Sequence, residues 1–403
     1  MNGAIPRFLD RNSPPHVATL ILLSGVSALS MNIFLPSLPN MAAYFQADYQ
    51  LMQLSVSVYL AFSALLQLVI GPLSDRFGRR NILLISLVVF CVASLGTLLA
   101  PNAAVFLAFR MLQASIATSM ALSRAIVRDM VDESRAASMI AYVTLGMSIV
   151  PMLGPIVGGA LDEAFGWQAS FTMLLVLGLL VLWLVWADLG ETHVTKATSF
   201  RAQLRDYPEL LTSPRFWGYV LSTAFASGVF FAYLGGAPFI GTELYGLSPS
   251  GLGFYFGATG IGYGLGNFLS GRYSMRLGVV RMIVLGNMAM AVGLAMQTLA
   301  VWTGVGGAAG FFAPFLIVGA GNGLVLPNSS AGMLSVRPHL AGTASGLGGA
   351  IMIGGGAALS ALAGVALSAE SGAWPLLAIM AASLAGSILS IVLVIRRNRQ
   401  LGL

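Results

Sequence analysis

Charged residues are scarce in this sequence. They make up 8% of the 403 residues, whereas hydrophobic residues make up 57%. A soluble domain usually has about a quarter of its residues charged. A soluble body of this size could not cover its surface with so few charges, so the composition predicts an integral membrane protein whose surface faces lipid.

Cysteine is nearly absent as well, because Cys91 is the only one. A single cysteine excludes a disulfide within the chain and leaves no set of thiols for a metal site. The sequence contains no nucleotide-binding loop and no catalytic set of side chains. It therefore predicts neither an enzyme nor a bound cofactor or metal.

Long apolar runs fill most of the chain, and a membrane-spanning helix needs about 20 mainly apolar residues. We number the runs spans 1 to 12 in chain order: 17–39, 51–72, 81–100, 103–128, 137–161, 169–188, 213–241, 249–271, 280–302, 308–330, 342–367 and 374–395. The first run is long enough to span, so we predict that it is retained rather than cleaved as a signal peptide. The predicted fold is an all-α integral membrane protein with about twelve helices.

Basic residues are separated onto one predicted side of the membrane. Nineteen of the 20 lysines and arginines fall at span ends and loops on the side that holds the N-terminus, which we call the basic side. Excess basic residues mark cytoplasmic loops. We therefore predict a bacterial inner membrane protein with both termini cytoplasmic. The same separation explains the net charge of +6 without nucleic-acid binding.

The chain repeats with an offset of 200 residues. Segments 71–78 and 271–278 each follow the second span of a set of six, and they share Gly, Ser, Arg and Gly at equivalent places. We predict a six-helix half over 1–188, a cytoplasmic linker over 189–212 and a second half over 213–403. Such repeats are typical of secondary transporters, whose substrate site lies between the repeats near the membrane midplane.

Segment 71–80 reads Gly-Pro-Leu-Ser-Asp-Arg-Phe-Gly-Arg-Arg and resembles the signature loop of the major facilitator superfamily. The resemblance implies a charged latch. Asp75 would accept hydrogen bonds at the start of span 11, near Gly342, where an acid is favoured, and Arg76 would pair with Asp129. The other interpretation is a solvated turn. The residues assigned to the latch are Gly71, Asp75, Arg76, Gly78, Arg79 and Asp129.

Span 5 carries a glycine–proline string over 146–159 that resembles a motif of drug-exporting antiporters in the same superfamily. A proline bends a helix by removing a backbone hydrogen bond, and glycines four residues apart allow close helix contact. The other interpretation is an ordinary packing seam. The motif residues are Gly146, Pro151, Gly154, Pro155 and Gly158.

Three further strings, at 32–39, at 124–129 and at 327–328 with 341–346, resemble the Bcr/CflA drug-resistance branch of the superfamily. The resemblance implies proton-linked efflux of drug-like small molecules by alternating access. The expected partners are a small-molecule substrate, protons and the lipid bilayer, and the expected state is a monomer.

Arg110 is the one basic residue that lies away from the ends of a span, where a charge is costly and marks a functional position. By resemblance, Arg110 and Gln113 line the central cavity. The other interpretation is a structural arginine that binds backbone carbonyls of a kinked neighbouring helix. The predicted substrate-binding residues are Asn32, Arg110, Gln113, Met147, Tyr233 and Asn322.

The acid that related exporters use for protons in span 1, at the position of Asn32 or of Ser24, is missing here. Asp129 and Glu243 are the remaining candidates for proton coupling. Without that acid Arg110 lacks a counter-charge, and a buried unpaired charge is unfavourable. The alternative function is therefore an uncoupled facilitator or exchanger of a small anionic or polar metabolite. A third possible function is a receptor or scaffold that does not transport. The intact loop around Asp75 argues against it, because a latch is useful only to a protein that switches between states.

The predicted topology can be tested with single cysteines. After Cys91 is replaced, cysteines at Asp48 and Glu370 should react with an impermeant thiol reagent added to intact cells, because these acids lie in predicted outside loops. A cysteine at Ser199 should react only after the membrane is opened. Labelling of position 199 in intact cells, with 48 and 370 protected, would overturn the topology.

Overall fold

The computed structural model describes residues 8–11, 13, 15–130, 150, 153–192, 208–337, 340–368 and 370–402, and the regular structure in these residues is helical. This confirms the predicted all-α fold. The helices, from span 1 onward, are Val17–Asn32 and Leu38–Tyr44, Tyr49–Phe77, Arg79–Leu98, Ala103–Gln113 and Thr118–Met130, 153–165, Gln168–Asp188, Pro214–Phe239, Pro249–Leu277, Val279–Thr303, Gly307–Phe312 and Phe315–Ser335, Ala341–Ala366, and Trp374–Gln400.

Ten helical segments in the described part of the chain are long and apolar enough to cross a membrane. Span 8 is not among them, although its helix Pro249–Leu277 has 29 residues, because its sequence is rich in glycine. Span 5 is described at Val150 and at 153–165, where it is helical. Large apolar side chains such as Phe254 and Trp302 are exposed, as expected for a surface that faces lipid.

Span 1 is broken near its end away from the basic side. Its first helix stops at Asn32, a 3-10 turn covers Leu35–Ser37, and a short helix then begins at Leu38. Pro36 and Pro39 lie in this region, and a proline cannot donate the backbone hydrogen bond that would continue the helix. The break leaves carbonyl groups of the last turn without partners inside the helix.

The repeat predicted from the sequence has a structural counterpart at two glycines. Gly78 and Gly278 separate spans 2 and 3 and spans 8 and 9, and both adopt a positive φ, of 89° and 82°. Each N–H binds the carbonyl four residues earlier, on Ser74 and Ser274. Only glycine adopts such a conformation without strain, so one residue turns the chain between two long helices in both halves.

Several contacts join the two halves on the side away from the basic side, which we call the opposite side. The Tyr49 hydroxyl donates to the carbonyl of Gly235 at 3.2 Å. The Gln53 amide donates to the carbonyl of Ser360 at 2.7 Å. These bonds tie span 2 to spans 7 and 11, so the halves meet at this end of the molecule.

Spans 5 and 8 meet at the same end through glycines. A methyl group added at Gly159 would overlap the carbonyl oxygen of Pro249, and one added at Gly253 would overlap the carbonyl oxygen of Pro155. The Ser250 hydroxyl also donates to Glu163 across the same contact. Backbone therefore packs directly against backbone, and a larger side chain cannot be accommodated without separation of the halves.

The closure of the opposite side can be tested at Gly159. Overpacking a tight contact costs about 1–3 kcal/mol, so Gly159→Ala should favour opening on this side. In a background without Cys91, a cysteine at Met31 should then react with an impermeant maleimide at least about fivefold faster from outside the cell. Gly264→Ala is the matched control, because a methyl group there meets nothing within 4 Å. Equal labelling rates in the two variants would show that the contact at Gly159 does not close the opposite side of the molecule.

Candidate transport cavity and latch

A cavity of about 250 Å³ lies between the two halves. Spans 1, 2, 4 and 5 contribute its walls from the first half, and spans 7, 8, 10 and 11 contribute from the second. A second hollow, of about 540 Å³, lies between spans 9 and 12 and is lined by apolar side chains such as Trp302 and Trp374. We regard that one as a groove for lipid, since only the first hollow is reached by both halves.

Two asparagines predicted to bind substrate lie in the cavity wall. Asn32 ends the first helix of span 1, and Asn322 lies in span 10 of the other half. Asn322 donates its amide to the carbonyl of Ala226 at 3.2 Å. The side-chain oxygens of both asparagines are buried and lack a hydrogen-bond partner among the described residues. One amide side chain from each half therefore belongs to the cavity wall.

Arg110 is 1% exposed and does not belong to the cavity wall. Its guanidinium donates to the Ser30 carbonyl at 2.7 Å, to the Ser55 carbonyl at 3.3 Å and to the Gln113 side chain at 2.8 Å. Ser30 lies in the last turn of the broken helix, where a carbonyl is left over and a positive charge is favourable.

Two aromatic rings complete the surroundings of Arg110. Its guanidinium carbon lies 4.3 Å from the ring centre of Phe34 and 4.2 Å from that of Tyr59. The face of an aromatic ring attracts a cation. Neutral groups therefore satisfy the charge, and Tyr59, which lines the cavity, stands beside the guanidinium. This arrangement matches the structural interpretation of Arg110 and does not support the predicted contact with substrate.

Gln113 and Tyr233 also lie outside the cavity wall. Gln113 accepts from Arg110 and donates to the Ser94 hydroxyl at 2.9 Å. Tyr233 is fully buried, and its ring stacks on Phe315 with centres 3.6 Å apart. Both side chains are held by neighbours within their own half, which favours packing roles over substrate contact.

The glycine–proline motif is described only in part. Gly146, Met147 and Pro151 lie outside the described residues. Pro155 lines the cavity, and a methyl group at Gly158 would overlap the carbonyl oxygen of Ile33 in the broken part of span 1. The glycine face of span 5 thus packs against span 1 and places Pro155 between that contact and the second half.

The residues predicted to form the latch cluster around Arg79. This side chain pairs with Asp129 at the end of span 4 and with Asp75 at 3.4 Å, one turn earlier in the chain. Both carboxylates are about one-fifth exposed, and the arginine side chain is 9% exposed. The ion pairs therefore tie the end of span 2 and the start of span 3 to the end of span 4.

The predicted pairing of Arg76 with Asp129 is wrong in this structure. The helix of span 2 continues through the predicted loop as far as Phe77, so Gly71 lies inside it. Arg76 then points outward, with its guanidinium 5.3 Å from the ring centre of Phe77. Span 11 begins at Ala341, and the contact of Asp75 with its start stays a prediction.

Two acids that sequence reasoning did not single out complete the basic side. Glu191 accepts from the backbone N–H groups of Arg79 at 3.0 Å and Arg80 at 3.3 Å, the first residues of span 3. An acid at a helix N-terminus is favourable. Arg80 in turn donates to the Leu189 carbonyl at 2.7 Å. The one feature of the sequence that could have revealed this contact is the position of Glu191, three residues beyond the end of span 6.

Asp188 is the second of these acids, and it is fully buried. It accepts from the N–H groups of Leu9 at 2.8 Å and His16 at 2.9 Å, and from the Thr19 hydroxyl at 2.6 Å. Three donors satisfy the buried carboxylate, as such a group requires. The first span is thereby joined to the last span of its half.

The two candidates for proton coupling lie outside the cavity wall. Asp129 belongs to the latch. Glu243 is exposed in the π-helical turn Ile240–Leu244 that follows span 7. Among the described residues that line the cavity, none carries an ionisable carboxylate. If either acid exchanges protons, its effect on a substrate in the cavity would have to be transmitted through a change in the arrangement of the helices.

A two-half helical bundle with a cavity between the halves is the arrangement of a membrane transporter. The match to the family model described as Major Facilitator Superfamily covers residues 20–361. The chain therefore belongs to the major facilitator superfamily, as predicted, and is a transporter rather than an enzyme.

The relatives include drug-resistance proteins. The chloramphenicol resistance protein of Pseudomonas aeruginosa is 30% identical over 89% of this chain and 86% of its own length. The bicyclomycin resistance protein homolog of Haemophilus influenzae is 26% identical over 95% of this chain and 96% of its own. These names agree with the predicted resemblance to the Bcr/CflA branch.

A solved structure shares the fold. A bacterial homolog of the human lysosomal transporter Spinster, in an inward-facing and occupied conformation, matches with a TM-score of 0.70 over 95% of this chain and 96% of that one. The sequences are 15% identical, so this likeness concerns the fold alone.

The latch can be tested by a pair of neighbouring arginines. A hydrogen bond to a charged group is worth about 1.5–3 kcal/mol, so Arg79→Gln should slow transport by roughly tenfold or more. Substrate binding should change less than about twofold, since the latch does not touch the cavity. Arg76→Gln is the matched control and should transport like wild type. Transport is measured in vesicles at equal expression. Equal rates in the two variants would contradict the role of Arg79. Slow transport by the Arg76 variant alone would instead support the pairing of Arg76 with Asp129 that the sequence predicted.

Proposed function

We propose that this chain exports drug-like small molecules across the inner membrane by alternating access. The cavity carries the proposal, because both halves line it and their tight contacts lie on the opposite side. A cavity closed at one end by separable contacts, with a latch at the other, is what rocking of two halves requires. The chloramphenicol resistance protein among its relatives supports a drug-like substrate.

The proposed orientation places the basic side in the cytoplasm and the opposite side outside. With the glycine contacts of spans 5 and 8 formed, the outside would be closed. Opening would require those contacts to separate and the halves to close on the basic side. The latch around Arg79 lies at that end, where it would favour one of the two states.

In the first form of this proposal, export is driven by protons. The proton would then be carried by an acid outside the cavity, for which Asp129 and Glu243 are the candidates. Asp129 is the stronger of the two, because its pairing with Arg79 couples its charge to the latch. Protonation would weaken that ion pair and loosen the end of span 4.

One observation favours a second form, an uncoupled facilitator or exchanger. No carboxylate is found among the described residues of the cavity wall, and the position where related exporters carry an acid is Asn32. A neutral amide cannot take up a proton near neutral pH. Substrate and proton would then have no common site at which to compete.

The two forms differ in proton movement. The purified protein is placed in vesicles that contain a pH-sensitive dye. If export is proton-linked, the internal pH should change when chloramphenicol is added. The change should disappear in Asp129→Asn or Glu243→Gln. Transport without any proton movement would exclude the first form and support the second. Asn32→Asp should make transport more dependent on pH, since it adds an ionisable group to the cavity wall.

A further inference from the structure

Span 2 carries two glutamines whose side chains contact span 11 of the other half. Gln53 is 1% exposed and lies near the opposite side, whereas Gln67 is half-buried and lines the cavity. A polar group at membrane depth needs a partner within the protein, and hydrogen bonds between helices help to hold membrane helices together. The partners of the two glutamines therefore show how the halves are held at each end.

Gln53 has a complete set of contacts. Its amide nitrogen donates to the carbonyl of Ser360 at 2.7 Å and to the hydroxyl of the same residue at 2.9 Å. One turn further along span 11 lies Gly364, where an added methyl group would be 2.4 Å from the amide oxygen of Gln53 and would overlap it. The head of the glutamine thus rests on a glycine and binds the serine four residues earlier.

Span 11 repeats this serine–glycine pair nearer to the basic side. Ser345 and Gly349 have the same four-residue spacing and precede the pair that holds Gln53 by 15 residues. Gln67 follows Gln53 by 14 residues. At about 1.5 Å per residue these separations are about 22 Å along span 11 and about 21 Å along span 2. Because the two helices run in opposite directions, Gln67 is in register with the second pair.

Gln67 engages the second pair only in part. A methyl group added at Gly349 would be 2.7 Å from the amide oxygen of Gln67, so the head of this glutamine also rests on a glycine. Ser345, however, is exposed. Neither the Gln67 amide nor the Ser345 hydroxyl forms a hydrogen bond within the part of the chain that the structure describes. The same arrangement is therefore complete near the opposite side and incomplete toward the basic side.

We propose that Gln53 and Gln67 are alternating ties between the halves, one for each access state. When the basic side closes, the Gln67 amide donates to Ser345. The bond from Gln53 to Ser360 breaks as the opposite side opens. Both ties use neutral groups, so each exchange replaces one modest hydrogen bond by another. The proposal rests on the alternating access proposed above and adds the residues that hold each state.

Two equal substitutions with opposite expected effects test the ties. In a chain with Met31→Cys and without Cys91, labelling by an impermeant maleimide added outside the cell measures opening of the opposite side. Gln53→Leu should raise the labelling rate roughly two- to tenfold, the worth of one hydrogen bond. Gln67→Leu should lower it by a similar factor, because it weakens the state that is open to the outside.

Span 11 offers a matched pair of control variants. Gly364→Ala would push the head of Gln53 away from its position and should also speed labelling. Gly355→Ala lies in the same helix, where a methyl group meets nothing within 4 Å, and it should label like wild type. Both variants make the same change of residue in one helix, so a difference between them reports the contact with Gln53.

A pair of cysteines tests the second tie without relying on the Gln67 side chain. Gln67→Cys and Ser345→Cys, in a chain without Cys91, should be joined by a short bifunctional thiol reagent. Addition of Gln53→Leu should speed this cross-linking roughly two- to tenfold, because it releases the tie that competes with closure of the basic side. An unchanged cross-linking rate would overturn the proposal.

The outcomes separate the ties from the export function. Labelling changes of the same sign in Gln53→Leu and Gln67→Leu, or an unchanged rate in either variant, would overturn the ties. These measurements need no substrate, so the ties can fail while export stands. Failure to export any compound of a broad panel, with the expected changes in labelling, would instead remove the proposed export function and support the ties.

Discussion

A positive charge held in the membrane by neutral groups is the interaction on which the first half depends. Arg110 binds the leftover carbonyl of Ser30 and lies against the rings of Phe34 and Tyr59. A backbone carbonyl inside a membrane must be satisfied by the protein itself. The break in span 1 frees the carbonyl of Ser30, and the arginine of span 4 supplies the donor that this carbonyl needs. The cavity is placed beside this break, with Asn32 at the end of the interrupted helix.

Close backbone contact is the second organising element. Gly158 of span 5 allows contact with span 1, and Gly159 allows contact with span 8 in the other half. In a membrane, packing rather than the hydrophobic effect drives helix association. Contacts made through glycines and a few hydrogen bonds are specific in geometry but modest in strength. Such an interface suits the proposed cycle, in which it would separate and re-form.

The all-helical membrane fold and the family could be predicted because apolar span length and short motifs are properties of the sequence alone. Arg110 could not be assigned, since its role depends on where span 1 breaks and which carbonyls are left over. The choice of Arg76 over Arg79 failed for a related reason. It assumed a loop after Gly71, whereas the helix continues to Phe77 and the turn at Gly78 brings Arg79, four residues after Asp75, to 3.4 Å from that carboxylate. That spacing was visible in the sequence. The polar side chains that share one cavity wall could be identified only once both halves were assembled.

Asp188 has a consequence for the mechanics of the first half. By holding Leu9, His16 and Thr19, it fastens the beginning of the half to its end. A buried carboxylate with three donors is costly to expose, so spans 1 and 6 are held together as one mechanical unit. In the proposed transport cycle these two helices would then move together, and Asp188 would act as the fastening between them.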